Sequence, residues 1–197
     1  MRKNTFSKKF VAVMITAVAM LSLVVLPASA SAAGDLQVSI TGGALSGAVI
    51  GFGNFSPIAL DGSKKTITAD WTIGDVVDAT GTGAGWNVSL TLTQFKEWLT
   101  DAYVTDGKTL DSMSMNVTTA PVVTQVDETS SDSGTVTVVA DAVALDTTSP
   151  IKLLSSALAG GMGSFSVSDM GVTLSIPANA YAVTYKTEAT VALVTGP

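Results

Sequence analysis

The 197-residue chain contains no cysteine and no histidine. The first absence removes disulfide staples, thiol nucleophiles and a lipid-bearing cysteine, so packing and hydrogen bonds must hold the fold. The second removes the usual proton carrier near neutral pH and the commonest transition-metal ligand, and with them any Ser-His-Asp triad. Positive charge is also scarce. Lys and Arg number 10 against 16 Asp and Glu, and four of the ten, Arg2, Lys3, Lys8 and Lys9, stand at the N-terminus. The rest of the chain has six lysines, no arginine and a net charge of −10. With no basic cluster to meet phosphates, nucleic acid is excluded as a partner.

The one long apolar run, Phe10 to Leu26, lies behind those four basic residues and is followed by Pro27-Ala-Ser-Ala-Ser-Ala-Ala33. A basic start, an uncharged apolar stretch and a small-residue exit make residues 1–33 a secretory signal peptide, cut after Ala30 or one of the next alanines. The run approaches the roughly 20 residues that span a bilayer. An uncleaved anchor is therefore the alternative, and the small-residue exit favours cleavage, with no membrane contact afterwards. Residues 34–197 are enough for one domain with a sizeable core. Val194 to Pro197 form no Leu-Pro-x-Thr-Gly sorting motif, so any retention at a cell surface is expected to be non-covalent or through a partner.

Within this stretch, period-two alternation dominates. It predicts strands over Asp35 to Ile40, Val49 to Phe55, Thr66 to Ile73 and Asp75 to Asp78, then over Trp86 to Thr93, Leu110 to Val117, Thr135 to Ala140 and Ala142 to Leu145. Phe165 with Val167, Gly171 to Ile176 and Ala182 to Val194 complete the pattern. Pro150 to Ala157 reads as a strand or a helical turn. Phe95, Trp98, Leu99 and Ala102 stand three and four residues apart, which suits a short helix over Gln94 to Ala102. Gln125 to Gly134 is polar and acidic and is expected to be the most mobile loop. Strands about ten residues apart, separated by Gly, Pro, Asp or Ser turns, indicate an all-β fold: an antiparallel β-sandwich or barrel-like domain with at most one short helix.

The densest local signal is Gly81-Thr-Gly-Ala-Gly85, which delivers Trp86 into a strand with Trp86, Val88, Leu90 and Leu92 on one face. The glycines feed a strand rather than a helix, so they are not a dinucleotide loop. An exposed indole would offer an apolar face to a sugar ring, but a tryptophan on the apolar side of an alternating strand is more often packed. Trp71, Trp98, Tyr181 and Tyr185 face the same choice, and Tyr181, in a turn after Pro177, is the best placed to be exposed. Asp75 and Asp78, and Asp127, Glu128 and Asp132, are the acidic pairs a glycosidase would need. Without other catalytic groups they read as solvated loop acids, and their spacing fits no calcium loop. No enzyme, cofactor or metal site is expected.

Three stretches resemble one known family, the WxL-domain proteins secreted by Gram-positive bacteria. Asp78-Ala-Thr-Gly-Thr-Gly-Ala-Gly-Trp-Asn-Val-Ser-Leu90 is similar to the family's glycine-rich segment ending in Trp-x-Leu/Val. Ala159-Gly-Gly-Met-Gly-Ser-Phe165, leading to Val172-Thr-Leu-Ser-Ile-Pro177, is similar to the turn and strand before its terminal motif. Tyr185 to Pro197 matches that motif in spacing through Tyr185, Thr190, Leu193 and Pro197, with Val191 where a second tryptophan is expected and Ala189 where a leucine is. The resemblance makes Gly81, Gly83, Gly85, Trp86, Val88, Pro177, Val191 and Leu193 motif positions. It implies non-covalent attachment to cell-wall peptidoglycan at the cell surface, together with other surface proteins. Trp86, Asn87, Tyr181 and Tyr185 are the candidate glycan contacts. The alternative is a structural subunit of a surface or extracellular matrix assembly with no direct glycan binding, joined through β edges and apolar faces.

Overall fold

Alternation becomes hydrogen-bonded ladder in most of the predicted strands. The computed structural model describes residues 37–197, so the signal-peptide reading of residues 1–33 lies outside it. Ile40–Pro197 form one unit. One sheet has the order β1 (Leu45–Gly47), β4 (Val76–Asp78), β12 (Gly163–Val167) and β9 (Val123–Gln125). A second has β10 (Val136–Val138), β11 (Ile151–Ser156), β5 (Trp86–Leu92) and β15 (Ala189–Thr195). The third runs β2 (Ile50–Gly51), β3 (Lys65–Ile73), β13 (Met170–Ile176) and β8 (Met115–Thr119), and a small fourth has β14 (Tyr185–Lys186), β6 (Lys96–Leu99) and β7 (Ala102–Tyr103). Every pairing is antiparallel, and none of these sheets closes into a barrel. The all-β expectation holds. Among the described residues there is no α-helix, only a 3-10 turn at Ser133–Thr135.

Three sheets share one apolar core: Trp86, Val88, Leu90 and Leu92 from β5 meet Trp71 and Ile73 from β3, Phe165 from β12, and Met170, Val172 and Leu174 from β13. Two register shifts depart from strict alternation. In β11 the shift between Lys152 and Leu154 lets both Leu153 and Leu154 point inward. That run of adjacent apolar residues is why Pro150 to Ala157 was ambiguous by period alone. In β13 the shift at Gly171 buries Met170, Gly171 and Val172 consecutively.

Several expectations are corrected. The described part of the first predicted strand, Gln37 to Ile40, forms no strand with other described residues, and Val38 and Ile40 are exposed at 81% and 91%. The helix over Gln94 to Ala102 is a β-hairpin. β6 and β7 pair Trp98 with Tyr103 and Leu99 with Ala102, around Thr100 and Asp101, both at positive φ (50° and 62°). The apolar spacing arises because a two-residue hairpin also brings residues close in sequence onto one face.

In the predicted strand Leu110 to Val117, only the end from Met115 is strand. Asp146, fully buried, accepts from Ser114 N and Oγ at 3.0 and 2.7 Å and from Met115 N at 3.1 Å, taking backbone donors that a longer ladder would have used. The predicted final strand is split into β14 and β15 at Thr187 and Glu188, which bond Thr93 instead: Thr187 Oγ1 donates to Thr93 O at 2.5 Å and Glu188 N to Thr93 Oγ1 at 2.9 Å. The acidic loop is tied down at Ser131, whose N–H donates to Met162 O at 2.8 Å, and at Ser130, whose Oγ accepts from Ser164 N at 3.0 Å.

A two-residue hairpin with both φ positive is the conformation Asn-Gly prefers, and a β-branched threonine is strained there. Replacing Thr100→Asn together with Asp101→Gly should stabilise the domain by about 1 kcal/mol. In thermal unfolding that is a rise of about 2–4 °C in Tm. A helix over this segment would instead be weakened by the glycine, and the Tm would fall.

Candidate functional site

β5 enters the core through Gly85, at φ +73°, where a Cβ would stand 2.4 Å from Ser156 O and 2.9 Å from Ala157 O. Only glycine permits that approach. It sets Trp86 between Ser156 of β11 and Thr195 of β15. The indole is 0% exposed, and its Nε1–H donates to Gly161 O at 2.8 Å. The Phe165 ring lies against it, tilted by 54°, with centroids 6.2 Å apart. Gly161, at φ +69°, is as constrained as Gly85: its Cβ would fall 2.4 Å from Ser156 Oγ and 2.6 Å from Trp86 Nε1.

The neighbouring groups close the same knot. Asn87 is buried, and its Nδ2 donates to Gly196 O at 2.8 Å while Gly196 N donates to Gly85 O at 2.9 Å. Gly83 O accepts from Ala159 N at 2.7 Å. Asp78 Oδ1 accepts from Thr80 N and Oγ1 at 3.0 and 2.6 Å, shaping the turn that leads to Gly81. Val88 and Leu90 are fully buried, whereas Leu193 and Val191, which face them across the β5–β15 ladder, are half-buried. Pro177 ends β13 and accepts from Ala180 N at 3.1 Å.

Two candidate glycan contacts are corrected by this geometry. A buried Trp86 has no ring face to give a sugar, and the Asn87 amide is spent on the C-terminal backbone. Tyr181 and Tyr185 lie elsewhere, beside the three-stranded sheet. Tyr181 is 58% exposed, and Tyr185 is half-buried with its hydroxyl donating to Tyr181 O at 3.2 Å. Next to them Trp98 and Tyr103 pack edge to face, 4.8 Å apart at 83°. Lys186 Nζ sits 3.9 Å over the Trp98 ring and Lys108 Nζ 4.3 Å over the Tyr181 ring. Lys96 faces Lys186 across the ladder.

Burial pushes the Tyr103 and Tyr185 hydroxyls above the ordinary phenol value, and the nearby Glu188 and Glu97 charges add to the effect. Both phenols are therefore neutral at physiological pH and can donate as well as accept. Tyr185 and Lys186 also border an apolar groove of about 620 Å³, walled by Phe52, Phe55, Trp71, Leu92 and Phe95. Two carboxylates of the acidic loop, Asp127 and Asp132, serve local turns. Asp127, lowered in pKa, accepts from Thr129 N and Oγ1, and Asp132 caps the 3-10 turn.

Reading Gln94 to Ala102 as a helix concealed this ledge, because it separated Trp98 from Tyr103 and from both lysines. The usable signal was two aromatics flanking Leu-Thr-Asp-Ala at hairpin spacing.

The sequence model of the WxL family, described as a surface cell wall-binding domain, matches residues 41–197. The chain belongs to the WxL family. Searches of curated proteins and of solved structures returned no match. This WxL domain is a cell-wall-binding surface domain, and among its described residues no helix is long and apolar enough to cross a membrane. The three stretches that resemble the family converge in space, with Trp86 from the first hydrogen-bonded to Gly161 from the second and aligned with Thr195 from the third.

Two glycines at similar positive φ separate backbone strain from steric contact. Gly81→Ala, with nothing within 4 Å of its Cβ, should cost about 1 kcal/mol. Gly161→Ala, facing the indole nitrogen, should cost about 3 kcal/mol because overpacking adds to the strain. Urea unfolding of the two variants checks this, and equal losses would show that the Trp86 contact does not constrain Gly161.

Proposed function

We propose that this WxL domain belongs to a secreted, non-catalytic protein of a Gram-positive cell, held non-covalently on peptidoglycan by the ledge of Trp98, Tyr103, Tyr181 and Tyr185. The observation that carries the reading is the pairing of the exposed Tyr181 ring and the half-buried Trp98 ring with ammonium groups in a chain otherwise poor in positive charge. Three of the six lysines after the N-terminal cluster, Lys96, Lys108 and Lys186, belong to this one small surface. Lys96 and Lys186 stand directly across a ladder, an arrangement that costs stability and that an anionic ligand would relieve. Aromatic faces suit the C–H side of pyranose rings, neutral phenols suit their hydroxyls, and lysines suit the carboxylates of the wall peptides. The family description, surface cell wall-binding, supports the same partner.

Three of the loop acids, Asp78, Asp127 and Asp132, each accept from a residue of their own turn, which supports a non-catalytic role although Asp78 and Asp127 border one pocket.

Co-sedimentation with purified peptidoglycan tests the proposal. Tyr181→Ala should weaken binding about 3- to 10-fold, equivalent to about 0.7–1.4 kcal/mol, and Tyr181→Ala with Lys186→Gln should weaken it further. Tm should stay within about 2 °C of the parent, since both side chains are at the surface. Undiminished binding by the double variant, or no sedimentation of the parent protein, rejects the ledge as the wall contact.

A further inference from the structure

We infer that the outer edge of β15 accepts an added strand, and that its occupant is Asp35–Ile40 of a second copy of this chain. β15 pairs with β5 along seven residues, and among the described residues no strand is hydrogen-bonded to its other side. Its sequence, Ala-Thr-Val-Ala-Leu-Val-Thr, contains no charge, no proline and no glycine, and its register is unbroken. Those are the devices by which edge strands are normally kept from pairing. Burial records the missing cover. Val88 and Leu90 are fully buried, while their cross-strand partners Leu193 and Val191, packed on the same core, are half-buried.

The chain carries a strand of matching length and pattern. Leu36, Val38 and Ile40 alternate with Asp35, Gln37 and Ser39, and six residues span about 20 Å. Val38 and Ile40 are 81% and 91% exposed, and Gln37 to Ile40 pair with no other described residue. A parallel strand would bring Asp35 beside Glu188 at the start of β15, and an antiparallel one would carry it toward Gly196 at the other end. Keeping the apolar side chains on the core face then sets Val38 against Val191 or Leu193. Donor and acceptor are different surfaces, so the contact is head-to-tail and continues from copy to copy. None of this depends on wall binding, and it is tested in solution without wall material.

The absence of native cysteine makes cross-linking unambiguous. Protein recovered from the medium of a secreting host would carry Val38→Cys with Val191→Cys, or Val38→Cys with Leu193→Cys. One of the two pairs should give a ladder of dimers, trimers and longer species on non-reducing gels, collapsed by reductant, while Val38→Cys alone stops at dimers. In light scattering the unsubstituted protein should exceed the mass of one chain at high concentration. Val38→Asp with Ile40→Asp should return it to that mass with an unchanged Tm. The inference is overturned by a disulfide confined within one chain, by no ladder from either pair, or by a mass of one chain at the highest soluble concentration.

Discussion

The bond from Trp86 Nε1 to Gly161 O is the constraint on which the rest of the domain is arranged. Burying an indole removes on the order of 200 Å² from water, roughly 5 kcal/mol of apolar transfer. That gain is realised only if the N–H finds an acceptor, because an unpaired buried donor costs about 1–3 kcal/mol. The acceptor is a backbone carbonyl 75 residues away. Gly161 must turn at positive φ to present it, and Gly85 must let β5 pass within touching distance of Ser156 and Ala157. Two glycines and one tryptophan thus fix how the β5 sheet meets the loop that opens β12. The C-terminus is held in the same place through Asn87, Gly196 and Gly85.

The parts of this arrangement differed in how readable they were beforehand. Strand β5 was legible because one of its faces is wholly apolar, and an alternating face has one low-energy placement. The glycines at 81, 83 and 85 announced a turn of positive φ, and all three adopt it. The distant partner was not legible. No local pattern states that the Gly161 carbonyl meets the indole, and only the resemblance to WxL sequences named both stretches together. The segments that misled were those where a side chain competes with the ladder. Asp146 takes the amides of Ser114 and Met115, and Thr93 takes Thr187 and Glu188, each ending a strand that alternation would have continued.

The candidate ledge was half legible for a related reason. Tyr181 was expected to be exposed from its turn after Pro177, and it is. Trp98, Tyr103, Lys108 and Lys186 were not grouped with it, because their proximity depends on a hairpin whose turn residues, Thr100 and Asp101, carry no glycine or asparagine. Residues on a short sheet are neighbours by register, and register is decided by a turn that this sequence writes in an unusual way.

The two tryptophan positions of the WxL pattern occupy physically different places here. Trp86 lies on a strand with a neighbour on each side and is sealed; Val191 lies opposite Leu90 on a strand with one neighbour and is half-buried. An indole at an edge position would spread over the apolar side chains that the missing neighbour leaves uncovered, whereas valine is too small to do so. The departure at Val191 therefore does not weaken the central knot, which has its own complete set of contacts. Its effect is local: among the described residues no strand is hydrogen-bonded along the outer edge of β15, and Val191 on its inner face is only half-buried.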